Sequence, residues 1–412
     1  MGLSNEGLLL VVIATWLPLV LAHVLVVTRG MRIVISAELS EPSKNLVALV
    51  AFLLVVFMYA VACTITMYAA YHDRETSPRT DVVLAAEVIW LYSPFIATLS
   101  VICINKKSIY PRCLSLIPLK KSEWILCAKR AFLFGVPLCF IFAAGDQILR
   151  QIFSLAVTGN PTEPVPINNS FLDSVGQAFG YNGSNGWISG LVGFASNLTF
   201  GPFVNLFAPE TESLVSHNNS ANTGVGLYFL YAIPEEIGWT GTLYPLLINH
   251  LAPSYSKLHT VLMAISITGL VWGLWHCPFI LLKWNPTIDI LTGFAYNALF
   301  LVSCIATRCI LTSLVWPVYM NEPATHLLDV PHDRDASSIR YPSLFPAIFA
   351  HAALNCWWSF YTMLFNWSSA PIWSILTGTE YSLLATAWQT AIALLIIRQT
   401  FTNQDSSGSG NT

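Results

Sequence analysis

Charge is what this chain has least of. Of its 412 residues only 10% are Asp, Glu, Lys or Arg, and 55% are hydrophobic. Soluble domains carry about 25% charged residues, so this composition excludes one and points to a polytopic membrane protein. The net charge is −3 and there is no basic tail, so nothing suggests a nucleic-acid partner. The nine cysteines lie in or beside apolar segments, none falls in the polar stretches 151–185 or 209–223, and no Cys-x-x-Cys occurs. That pattern excludes a disulfide framework and predicts free thiols. No internal repeat is present. The N-terminus has no basic n-region, and Glu6 stands where a myristoylation signal needs Ser or Thr. The first apolar run therefore reads as an anchor, not a cleaved signal. The Ser/Gly-rich tail 405–412 reads as disordered.

What is present is a series of apolar runs close to the roughly 20 residues that cross a bilayer. Nine are read, at 8–27, 46–70, 82–104, 131–148, 224–248, 260–282, 290–318, 343–365 and 382–397. The fold class is thus all-α, a membrane helical bundle. The stretch 187–208 carries Asn197, Pro202, Asn205 and three glycines and is taken as interfacial or re-entrant. Lys106, Lys107, Arg112, Lys120, Lys121, Lys129 and Arg130 follow the third run. Such a cluster marks a cytoplasmic loop. The glycosylation patterns at Asn168, Asn182, Asn218 and Asn366 then all fall on the opposite side, which predicts a glycoprotein with a cytoplasmic C-terminus. Four regions follow: N-terminal membrane helices over 1–150, a polar loop over 151–223, a polar-residue-bearing core over 224–366, and a last helix with tail over 367–412.

The core holds three constellations. Glu235 and Glu236 stand side by side after Pro234, inside an apolar run. A charge at bilayer depth costs about 2.5–3.5 kcal/mol on insertion scales, so such residues are functional candidates. Pro234 predicts a kink or break, with both carboxylates near the start of a new helix. Adjacent helical residues point about 100° apart, so only one carboxylate can face a reacting atom squarely. Trp272 and His276 share a helix face at i, i+4, and so do His351 and Asn355. Either histidine alone is as well explained as polar packing between helices. Jointly, two acids, two imidazoles and an amide on separate helices make the inventory of a hydrolytic site. A carboxylate can take a proton from water, a histidine can hold that water, and His plus Asn can donate to an oxyanion. The same groups could instead hold zinc through Glu235, His276 and His351 with an open water position. No other cofactor is indicated.

The sequence Glu235-Glu236-Ile237-Gly238-Trp239-Thr240, Trp272-Gly273-Leu274-Trp275-His276 and His351-Ala352-Ala353-Leu354-Asn355 resembles the CAAX protease and bacteriocin-processing (Abi) family of intramembrane proteases, related to the type II CAAX prenyl endopeptidases. Its motifs are EExxxR, FxxxH and HxxxN. The resemblance implies a catalytic helical core over 224–366 and peptide-bond hydrolysis. It implies Glu235 as general base with Glu236 beside it, His276 assisting the water, and His351 and Asn355 stabilising the oxyanion. The implied partners are the lipid bilayer and membrane-associated or lipidated, including prenylated, peptide substrates. The implied location in a eukaryote is the endoplasmic reticulum or another endomembrane. Glutamate-only and metal-dependent mechanisms both stay open. Two positions depart from the pattern: Thr240 replaces the arginine and Trp272 replaces the phenylalanine. Thr cannot carry charge or pair bidentately with a carboxylate. Arg308 inside the seventh run is a candidate substitute cation, or else pairs with a neighbouring carboxylate or reaches the interface.

Two rival readings come from other classes. One is a non-catalytic membrane scaffold in which Thr240 marks lost activity. The other is a proton-coupled transporter, which the lack of a repeat disfavours. Glu87 and Asp146 near run ends read as interface or packing groups, and His250 and His259 as interfacial. The acid- and His-bearing loop 321–341 matches no zinc spacing and reads as a solvated loop.

Overall fold

In lipid a backbone must satisfy its own polar groups, and a chain of apolar runs does so as helices. The computed structural model describes residues 5–36, 39–71, 80–105, 121–135, 225–283, 290–315, 343–364 and 383–405, together with 138, 141 and 156. The described elements are α1 (Asn5–Ser36), α2 (Glu41–Tyr71), α3 (Thr80–Ile104) and α4 (Lys121–Ala128, running on as a π-helical stretch Lys129–Gly135). After these come α5 (Val225–Gly238), a π-helical turn (Trp239–Leu243) and α6 (Tyr244–Leu251). The last are α7 (Lys257–Lys283), α8 (Ile290–Val315), α9 (Phe345–Leu364) and α10 (Leu383–Asp405). This is the all-α membrane bundle that the sequence predicts. Among the described residues five helices are long and apolar enough to cross a membrane, namely Gly7–Ser36, Ser43–Ala70, Asp81–Ile104, Leu258–Cys277 and Asn297–Val315, with a shorter apolar one at Leu383–Gln399. The glycosylation patterns, the basic loop 106–120, the stretch 187–208, Asp146, the loop 321–341 and the tail 406–412 lie outside the described residues.

Local chemistry sets several helix starts. Ser256 Oγ accepts the His259 N–H at 3.5 Å and the Ser256 carbonyl accepts the Thr260 N–H at 2.8 Å, which caps α7 after a tight turn from α6. Ser343 Oγ likewise accepts the Phe345 N–H at 3.2 Å at the head of α9. His259 is exposed and its Nδ1 lies 2.6 Å from Ser256 Oγ, while His250 is half-buried at the end of α6. The described cysteines, Cys63, Cys103, Cys127, Cys277, Cys304 and Cys309, are free thiols, as their placement predicts.

Helices α1, α2 and α3 pack together. His23 joins all three, with Nδ1 3.1 Å from the Tyr59 hydroxyl and Nε2 2.8 Å from Ser100 Oγ. Trp16 Nε1 donates to Thr66 Oγ1 at 3.0 Å. Such polar contacts act as glue between apolar helices. Helix α5 lies against α3 and α9, α6 against α2 and α7, and α8 against α7, α9 and α10. From Pro234 to Asn249 every residue is buried. The stretch is enclosed on all sides, as a central helix must be.

Of the kink or break expected at Pro234, the break is corrected. The helix runs from Val225 through Pro234 to Gly238 without interruption. Neighbouring helices that bury a proline-bearing turn compensate for the lost backbone bond. The irregularity falls five residues later, at the π turn, where Thr242 Oγ1 donates to the Ile237 carbonyl at 2.9 Å. Thr98 Oγ1 of α3 lies 3.0 Å from the same Thr242 hydroxyl. Glu235 and Glu236 therefore sit inside a helix, not at a positive helix end.

Close backbone approach fixes this geometry. A Cβ at Gly238 would stand 2.3 Å from Pro94 Cβ of α3, and one at Gly269 of α7 would stand 2.5 Å from Ile305 Cα of α8. Gly238→Ala is expected to cost about 1–3 kcal/mol by overpacking, measured as a lowered thermal midpoint in detergent. An unchanged midpoint would mean that α3 and α5 have room to part.

Candidate active site

The two adjacent carboxylates have different surroundings. Glu236 has no exposure. Its Oε1 accepts from Arg308 Nη1 at 2.8 Å and from His351 Nδ1 at 2.7 Å. Its Oε2 accepts from Thr240 Oγ1 at 2.6 Å and again from Arg308 Nη1 at 3.0 Å. A carboxylate offers about four acceptor positions, so Glu236 is saturated. Glu235 keeps 3% exposure, and its Oε2 accepts the Trp272 indole N–H at 2.8 Å. Among the described residues Oε1 of Glu235 has no hydrogen-bond donor. Glu235 is thus the carboxylate with acceptor capacity to spare.

Arg308 is the cation beside Glu236. It comes from α8, is fully buried, and pairs with Glu236. Its Cζ lies 3.9 Å from the centroid of the Trp272 ring, a desolvated cation–π contact of about 2 kcal/mol. Among the described residues its Nε and Nη2 have no hydrogen-bond partner. Of the uses the sequence offered for Arg308, the structure shows a pairing with the neighbouring carboxylate of Glu236.

His276 Nδ1 lies 2.9 Å from the Trp272 carbonyl. A carbonyl only accepts, so Nδ1 carries the hydrogen and Nε2 keeps its lone pair. The ring stands edge-on to Trp90, Trp272, Trp275 and Phe300, at 5.3, 5.2, 4.6 and 5.5 Å between centroids. Trp90 and Trp275 stack at 4.0 Å and 9°. Trp275 Nε1 donates to Ser93 Oγ at 3.0 Å, and Trp90 Nε1 to the Trp275 carbonyl at 3.3 Å. His276 is therefore gripped by an aromatic frame, with one nitrogen left for chemistry. The His351 ring meets Trp272 edge-on at 5.5 Å.

Trp272, His276, His351 and Asn355 share a cavity of about 50 Å³ with Phe300, Ser303, Cys304 and Thr307. A water needs at least about 10–15 Å³ measured this way, so the cavity can hold one or a few. Glu235 is not among its lining residues; Trp272, which is, holds the Glu235 carboxylate. The three constellations thus meet at one place. The α8 wall was not singled out from sequence. Its signal was a doubled i, i+4 polar pattern, Ser303 with Thr307 and Cys304 with Arg308. Among the described residues the buried Thr307 Oγ1 has no hydrogen-bond partner. Ser303 is hydrogen-bonded to Gln389 of α10, so the last helix braces the cavity as well.

The set Glu235, His276 and His351 does not fit zinc in this arrangement. Among the described residues no three His, Cys, Asp or Glu side chains converge to hold a metal ion. The physical reason is local. The Trp272 N–H occupies one Glu235 oxygen, Glu236 occupies His351 Nδ1, and the Arg308 cation lies beside them.

Comparison with known proteins gives one finding. A family model described as Type II CAAX prenyl endopeptidase Rce1-like matches residues 218–321, about a quarter of the chain. The match takes in Glu235, Glu236, His276 and Arg308 and stops short of His351. No curated protein matches the chain.

Proposed function

We propose, with the match to the Type II CAAX prenyl endopeptidase Rce1-like model over residues 218–321 as the premise, that this membrane protein is an intramembrane endopeptidase acting on membrane-associated peptides, prenylated ones included. The observation that carries the reading is the small buried cavity bounded by His276, His351 and Asn355, with Glu235 held against its Trp272 wall. Water in that cavity meets His276 Nε2. For Glu235 to act as base the water must pass the Trp272 wall to Oε1; Glu235 then takes its proton there, and the hydroxide formed adds to the scissile carbonyl. His351, its Nδ1 held by Glu236, and Asn355 stabilise the resulting oxyanion. Glu235 then returns the proton to the leaving nitrogen as the C–N bond breaks. Glu236, with all its acceptor positions taken, positions His351 and touches neither water nor substrate.

Thr240 was the sequence feature that favoured a non-catalytic scaffold. Arg308 on Glu236 supports the catalytic reading instead, because the carboxylate has its cation without an arginine at 240. The test is purified protein in lipid nanodiscs with two peptides of identical sequence, one carrying a farnesylated cysteine near its C-terminus. The expected result is a new peptide terminus by mass spectrometry, formed faster from the lipidated peptide. No product from either peptide contradicts the peptidase reading, and equal rates contradict the lipid preference.

A further inference from the structure

We propose that Arg308 and Trp272 form one unit that sets both carboxylates, doing from α7 and α8 what a cation at position 240 would do from beside Glu236. A cation at 240 would lie one helical turn after Glu236 and would serve that carboxylate from within its own helix. Thr240 supplies only a hydroxyl there, 2.6 Å from Oε2. The space and charge it leaves are filled from α8: Arg308 Nη1 sits 3.4 Å from the Thr240 hydroxyl and reaches both Glu236 oxygens. A guanidinium arriving from that side needs a surface to lie on, and the Trp272 ring provides it at 3.9 Å.

Trp272 adds what phenylalanine could not. Its indole N–H holds Glu235 Oε2 at 2.8 Å. One guanidinium therefore sets Glu236 directly and Glu235 through the ring it rests on. Arg308 is a positioning residue for both carboxylates, and α7 and α8 carry a task that a cation at 240 would keep inside one helix. The unit also excludes its own alternative. An arginine at 240 beside Arg308 would put two cations on one carboxylate in a dry site, where like charges are costly.

The test is a crossed set: Thr240→Arg, Arg308→Ala, the double variant, and Trp272→Phe made both in the natural chain and in the double variant, each read by thermal midpoint in detergent and by kcat and KM on the membrane peptide. The activity readings rest on the peptidase proposal; the midpoints do not. Each single change at 240 or 308 is expected to lower the midpoint and to reduce kcat by about 100-fold, the scale of a misplaced catalytic group. KM is expected to move far less. The double variant is expected to regain about tenfold over Arg308→Ala, the size of coupling seen between residues in contact, and to recover midpoint. Trp272→Phe should cost less in the double variant than in the natural chain, because nothing then rests on the ring. Losses that simply multiply, or a double variant no better than Arg308→Ala, overturn the proposal. If Arg308→Ala yields no folded protein, recovery of folded yield in the double variant decides the point. If the natural chain cleaves no peptide, the peptidase reading fails alone, and the midpoints still test the coupling.

Discussion

Replacing Glu235 by glutamine is expected to slow peptide cleavage by about 10²–10⁴-fold, the usual contribution of a general base, while leaving the protein folded. Glutamine matches glutamate in size and its carbonyl oxygen can still accept the Trp272 N–H, which at 2.8 Å is what holds this side chain. It cannot take a proton from water at the position Oε1 occupies. Glu235 is not part of the Arg308–Glu236 ion pair, so its neutralisation leaves no salt bridge broken. The signature is a collapse of kcat with a thermal midpoint close to that of the natural chain. Cleavage at the natural rate by Glu235→Gln would remove Glu235 as the base.

The neighbouring carboxylate is expected to fail in the opposite way. Glu236→Ala leaves Arg308, which has no exposure, without a counter-ion, and strips His351 Nδ1 and the Thr240 hydroxyl of their acceptor. Breaking one half of a buried ion pair costs about 3–5 kcal/mol, against a total stability of about 5–15 kcal/mol for ordinary folded proteins. The expected outcome is loss of monodisperse protein after detergent extraction or a large fall in midpoint. Glu236→Ala combined with Arg308→Met removes both charges and is expected to recover much of that stability without recovering cleavage. A folded, fully stable Glu236→Ala protein would contradict the role given to the ion pair. Two adjacent residues of one type thus give opposite phenotypes, one kinetic and one structural.

Much of the bundle was legible because apolar length is a local signal. The runs at 46–70 and 82–104 fall within α2 and α3 nearly residue for residue. The continuous helix through Pro234 was not legible, because proline's local cost is offset by burial against α3 and α9, which a sequence does not display. That Glu235, Glu236, His276, His351 and Asn355 would come together was legible, since acids, imidazoles and amides in apolar helices have few uses. Their division of labour was not. Whether Glu235 or Glu236 has a free oxygen depends on Arg308, 72 positions away, and on an indole N–H from a third helix. The α8 wall was hidden for a different reason: serine, cysteine and threonine are unremarkable in a membrane helix until a cavity gives them something to face.

The central claim is that residues from separate helices act on one water. It is tested most directly by comparing Glu235→Gln, His276→Ala and the double variant in single-turnover cleavage of the lipidated peptide. Groups that act as a unit are grossly non-additive. The prediction is that each single variant loses most of the rate and that the double variant is scarcely slower than the worse of the two. Losses that multiply, or natural-rate cleavage by either single variant, would contradict a shared site.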